Sequence, residues 1–212
     1  MIKRRHATSS GFTIIELLVA TAVFSVVLLV LAAGVLQISR MYYKGLTEAN
    51  TQNVARSITD VISQSIQFGG GDVTTTAASP APGSLNAFCV GNQQFSFTPG
   101  YQLVDNPDPS KFQTYHALVV TTKAGCPGQA PQDVRQPTVT GRELLDTNMR
   151  LSKLGVTNLG GNLYRVDVRV VYGDDDLLKN PTANNSSCIN ASAGTQFCSV
   201  SDLSTVVTKR VE

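Results

Sequence analysis

Between Phe12 and Leu36 the chain reads FTIIELLVATAVFSVVLLVLAAGVL, 25 residues with one charge, Glu16, and three hydroxyls. As a helix rising about 1.5 Å per residue, this run covers roughly 37 Å, against a bilayer hydrocarbon core of about 30 Å. It is therefore long enough to span a membrane. Lys3, Arg4 and Arg5 precede it, and such a basic flank stays on the cytoplasmic side, which sends the rest of the chain outside. A secretory signal fits less well, because its apolar stretch is shorter and ends at small residues. Those three charges also account for the formal net charge of +2, since the chain from Phe12 onward carries −1. A near-neutral body behind a basic tip lacks the clustered Lys and Arg of a nucleic-acid binder, and composition gives no support to polyanions as partners.

Glu16 is the anomaly in this run. An ionised carboxylate costs about 2.5 kcal/mol or more at the centre of a membrane helix, less near an interface, and so signals a function. The alternative is a carboxylate reaching back to water at the edge of a plain signal anchor. Its setting is specific: a short basic leader ends in Gly11, Phe12 follows, and Glu16 is the fifth residue after that glycine. The stretch GFTIIELLVATAVF resembles the type IV prepilin signature, closely from Gly11 to about Leu36 and only in general architecture beyond. The resemblance implies that a prepilin peptidase cuts after Gly11 on the cytoplasmic side and N-methylates Phe12. It implies that Glu16 remains in the mature chain and meets the N-terminal amine of a neighbouring subunit, since two charges in a dry helix bundle are tolerable mainly when paired. Its implied partners are the peptidase, other pilin or pseudopilin subunits, an inner-membrane assembly platform and membrane lipid. The implied location is a single-pass inner membrane with the head outside, then a surface or periplasmic filament. Many major pilins carry a proline two thirds along this segment, where Ala32, Ala33 and Gly34 stand here. That departure suits a minor pilin or a type II secretion pseudopilin at least as well as a major pilin.

Beyond Leu36 apolar residues keep helical spacing at Ile38, Met41, Tyr42, Leu46, Ala49, Val54, Ile58, Val61, Ile62 and Ile66. Gly69-Gly70-Gly71 then ends the run. The predicted helix from Phe12 to Phe68 would be about 85 Å long. The expected organisation is a leader at 1–11, a transmembrane and assembly helix at 12–36, an amphipathic helix at 37–68 and a β-rich head at 69–212. The class is α+β: a long N-terminal helix packed on an antiparallel sheet, pilin-like. Residues 70–84 read as an exposed loop. Strands are expected at Phe95–Thr98, Thr114–Thr122 and Leu163–Tyr172, more weakly at Arg150–Leu159, and at the terminal LSTVVTKRVE. The clearest is Leu163–Tyr172, where Tyr164, Val166, Val168, Val170 and Tyr172 alternate with Arg165, Asp167 and Arg169. Gly160-Gly161-Asn162 predicts a tight turn joining Arg150–Leu159 to it. Cys89, Cys126, Cys188 and Cys198 lack zinc-site spacing and permit three pairings. Neighbour pairing, Cys89 with Cys126 and Cys188 with Cys198, is preferred because each bond closes a Gly/Ser/Asn/Pro-rich loop.

Catalysis has no visible seat, as there is no phosphate loop, dinucleotide fingerprint or H-E-x-x-H helix. No enzymatic activity and no cofactor are therefore expected. Asp174, Asp175 and Asp176 lack the spaced pattern of a calcium loop and read as a solvated turn. His116 has no nucleophile motif nearby and reads as structural or superficial. The sequons at Asn184, Asn185 and Asn190 carry no assigned role. Lys111, Lys123, Arg135, Arg142 and Arg150 are scattered in sequence, which leaves a DNA-uptake or adhesive tip pilin as a competing reading.

Overall fold

The structure, a computed structural model, describes residues 11–75, 80–123, 126, 130–189 and 194–210. The leader's basic residues, part of the 70–84 loop, the Asn190 sequon and the last two residues lie outside the described residues. Two compact units are present, Met1–Tyr42 and Tyr43–Glu212. A single 55-residue helix, α1 (Ile14–Phe68), contributes to both.

In the first unit α1 buries nothing. The large apolar side chains from Phe12 to Tyr42 stand 48–86 % exposed, so water is the wrong solvent for this surface. The hydroxyls are closed within the helix: Thr21 donates to the Leu18 carbonyl and Ser25 to that of Thr21, as an apolar surrounding requires. With no proline in it, the segment passes Ala32-Ala33-Gly34 without leaving the helix.

Among its described residues, the second unit holds the rest of α1 and eleven strands: β1 (Asn86–Val90), β2 (Gln93–Phe97), β3 (Gln102–Leu103), β4 (Gln113–Thr114), β5 (Leu118–Thr122), β6 (Arg142–Glu143), β7 (Met149–Gly160), β8 (Leu163–Tyr172), β9 (Leu178–Lys179), β10 (Ser187–Cys188) and β11 (Ser199–Thr208). They form a five-stranded sheet in the order β11-β8-β7-β3-β4, a four-stranded sheet β1-β2-β5-β6 and a β9–β10 ribbon. All pairs are antiparallel except β3–β4. The arrangement is α+β and pilin-like, with two sheets where one was expected. The apolar stripe of α1 is used only from Thr51: Thr51, Val54, Ala55, Ile58, Thr59, Ile62 and Ile66 are buried, whereas Ile38, Met41 and Tyr42 remain exposed. These buried residues meet Phe88, Phe95 and Phe97 of the smaller sheet and Leu151, Leu154, Val166 and Val168 of the larger one.

β8 alternates as its sequence dictates, with Tyr164, Val166, Val168 and Val170 in the core. β7 reaches it through Gly161-Asn162, both at positive φ (58° and 64°), the two-residue hairpin geometry that Gly and Asn favour. Its own alternation breaks because a bulge lies between Leu151 and Lys153, letting Met149 and Leu151, then Leu154 and Val156, all reach the core. Two strand readings need correction, and β1 was not among those expected. Thr114–Thr122 is not one strand; residues 115–117 cross from the larger sheet to the smaller. β1 carried too little alternation to be anticipated. The terminal strand begins at Ser199 rather than Leu203, because Ser199 to Thr208 pair throughout with Tyr172 to Leu163.

Cys89 is bonded to Cys126 and Cys188 to Cys198. The segment 173–189 has little apolar side chain to bury, and is held instead by strand side chains donating to its carbonyls. Arg150 donates to Gly173 and Pro181, Ser152 to Ala183, and Arg169 to Ser186. Gly100 lets it lie close, since a Cβ there, at φ +85°, would sit 2.6 Å from the Thr182 carbonyl oxygen.

Candidate functional site

The N-terminus of α1 is built by four residues. Thr13 stands just before the first helical residue, and its backbone N–H and hydroxyl both donate to Glu16 Oε2 at 2.8 Å. The Glu16 N–H donates back to Thr13 Oγ1 at 3.3 Å. This reciprocal arrangement is a capping box, satisfying donors that every helix start leaves open. An acidic side chain is also favoured there by the helix dipole. Glu16 Oε1 makes no bond among the described residues. The carboxylate is thus half satisfied within its own chain and half available, at the end of an otherwise apolar rod. Sequence reading singled out Glu16 and missed Thr13, although T-x-x-E before an apolar run is the written signal for this cap.

Gly11 and Phe12 precede the helix, and Phe12 is 82 % exposed. A Cβ on Gly11 would meet no atom within 4 Å, and its φ is not in the left-handed region. The fold places no demand for glycine at this position, so any such demand comes from another molecule.

Residues 7–32 match the prokaryotic N-terminal methylation motif. Over these residues the chain is similar to type IV prepilins. No curated protein and no solved structure matches it. The motif implies processing by a peptidase and assembly with other pilins. With a helix long and apolar enough to cross a membrane, it fits a membrane-anchored pilin, and proteins of this type are structural.

The remaining candidates are placed in structural roles. The acidic run is not a simple solvated turn: Asp175 opens a 3-10 turn and pairs with the Arg150 guanidinium at 2.7 Å, while Asp174 Oδ1 accepts from Gln102 Nε2 at 3.0 Å. Among the described residues, no group of three His, Cys, Asp or Glu side chains is placed to hold a metal. His116 Nδ1 lies 3.5 Å from Glu143 Oε2. Glu143 accepts backbone N–H bonds from Ala117, Leu118, Leu144 and Leu145 at 3.0–3.1 Å. Burial pushes its carboxyl above the ordinary carboxylate value, and those N–H bonds and His116 oppose the shift. Of the scattered basic residues, Arg150 is fully buried, Arg135 is bridged to Asp133 and Lys123 donates to the Ala130 carbonyl. Asn184 donates to the Pro80 carbonyl and Ser186 is buried, so the first sequon is packed into the head.

Proposed function

We propose that the chain is a structural subunit, of the minor pilin kind, in a type IV pilus or a related filament. A prepilin peptidase removes residues 1–11 and methylates the new N-terminal Phe12. The helix from Phe12 to Leu36 rests in the inner membrane until assembly and then packs against other subunits, with the head outside. Glu16 docks the incoming subunit: Thr13 fixes one carboxylate oxygen, and the other accepts the N-terminal amine of a neighbour. Work comes from a separate motor. The observation that carries this reading is the methylation motif at residues 7–32 running directly into a helical surface that buries nothing of its own. Such a surface is stable only when lipid or other helices cover it.

The test is intact-mass and N-terminal analysis after coexpression with a prepilin peptidase, comparing the native chain with Gly11→Ala. The expected result is a product beginning at methylated Phe12, blocked by the substitution. Because nothing in the fold needs Gly11, a block reports recognition by the peptidase rather than misfolding. A native chain still beginning at Met1 would sink the reading.

A further inference from the structure

Within the head, α1 and the smaller sheet part company near the C-terminal end of the helix. The core row Ile58, Ile62 and Ile66 stays on the phenylalanine cluster, where Phe88 and Phe95 stack at 4.7 Å. The neighbouring row Val61, Ser65 and Phe68, at steps of three and four, instead faces an open groove of about 650 Å³, within the range of small-molecule sites. Its other wall is one face of the sheet. Gln93 lies opposite Thr122 and Val120 opposite Arg142, and strand alternation puts all four side chains on that face.

The polar groups here are unbalanced. The Ser65 hydroxyl lies 2.8 Å from the Val61 carbonyl and 2.7 Å from Gln93 Oε1, and the Gln93 amide N–H hydrogens have no partner among the described residues. The Gln64 carboxamide, the Thr122 hydroxyl and the Arg142 guanidinium have no partner among the described residues. Among the described residues, no Asp or Glu lines the groove. The floor is apolar at Val61 and Val120. At the rim the Phe68 ring is 57 % exposed, with the Arg210 guanidinium 5.9 Å from its centroid. Free donors, a guanidinium fork, an apolar floor and an open aromatic ring together describe the complement of an anion that also carries hydroxyls and a flat C–H face.

We propose that this groove binds an acidic saccharide, a sugar residue bearing a carboxylate. The carboxylate takes the Arg142 fork, for which guanidinium geometry is suited. The sugar hydroxyls take the amides of Gln64 and Gln93 and the hydroxyl of Thr122, and the ring's C–H face lies on Phe68. The site lies wholly in the head and does not depend on the filament reading.

The full chain in detergent micelles is titrated by calorimetry with trigalacturonate and with 3′-sialyllactose, which separate a uronic from a sialic source. The expected result is saturable binding of at least one of them, at least tenfold weaker for neutral galactotriose. Arg142→Gln and Gln64→Ala, both at exposed positions, should each weaken it tenfold or more with unchanged thermal unfolding, while Lys179→Gln leaves it intact. Absence of binding by both acidic sugars, equal binding by galactotriose or by a short oligothymidylate, or full binding retained in Arg142→Gln overturns the proposal.

Discussion

Arg150 and Glu143 show how this head uses charge where apolar side chains are lacking. Arg150 is fully buried, and its partners, Gly173, Pro181 and Asp175, all belong to the tail segment after β8. Removing one partner of a buried ion pair costs about 3–5 kcal/mol. Since Asp175 keeps 38 % of its side chain exposed, Arg150→Ala should fall at the lower end, about 3 kcal/mol by chemical unfolding, with faster amide exchange confined to residues 173–183. Exchange changed equally across the head would contradict this role. Glu143 is the converse case, an acid that gathers four N–H donors at the crossing from the larger sheet to the smaller. Its folded-state carboxyl titrates above the unfolded value of 4.5, so the folded head holds its proton more tightly than the unfolded chain. Its contribution is therefore fully present below pH 4.5 and declines as pH rises through the raised midpoint. Glu143→Gln should flatten that slope in unfolding curves taken across the window. It should also cost about 1–3 kcal/mol at pH 7, because a carboxamide turns donors toward donors. Neither role was legible beforehand: Arg150 stands in the sequence as one of several scattered basic residues, and Glu143, in the two-residue β6, carries no local signal, until the fold shows what covers them.

At the scale of elements, legibility follows periodicity. β8 alternates without interruption and was readable, as was its hairpin turn at Gly161-Asn162. β7 was only half readable, because its bulge at Ser152 resets the phase of the pattern. The split of Thr114–Thr122 was invisible, since residues 115–117 keep strand-like composition while being held by Val134 and Glu143. At the start of α1 the capping box is legible as Thr13-x-x-Glu16 ahead of an apolar run. The hairpin offers a clean test. Asn162 has φ +64° and its carbonyl accepts from the Lys209 N–H. A β-branched residue pays about 1–2 kcal/mol in that left-handed conformation. Asn162→Val should therefore lower stability by about that amount, while Asn162→Gly stays within about 0.5 kcal/mol, as judged by urea unfolding. Equal losses in both would show that the Asn side chain, not its backbone, matters.

For the whole molecule, the division falls within one helix. No large apolar side chain of α1 from Phe12 to Tyr42 is buried, whereas from Thr51 to Ile66 seven residues of the helix enter the core. The head's core lies in residues 54–207, so its stability owes nothing to burial in the N-terminal half. That half instead sets the solvent the chain needs, because its exposed apolar surface is tolerable in lipid or against other helices and not in water. A fragment comprising residues 43–212, made in an oxidising compartment so that both disulfides form, should be soluble without detergent. It should melt within about 4 °C of the head in the full chain, the shift that roughly 1 kcal/mol produces at this size. The full chain should aggregate when detergent is withdrawn. Reduction should then lower the fragment's stability by about 2–4 kcal/mol for each bond lost, with Cys188→Ser loosening mainly the segment between β9 and β11. An unfolded fragment, or one melting more than 10 °C below the full chain, would mean that the N-terminal half of α1 contributes to the head after all, and the separation of anchor from head would have to be abandoned.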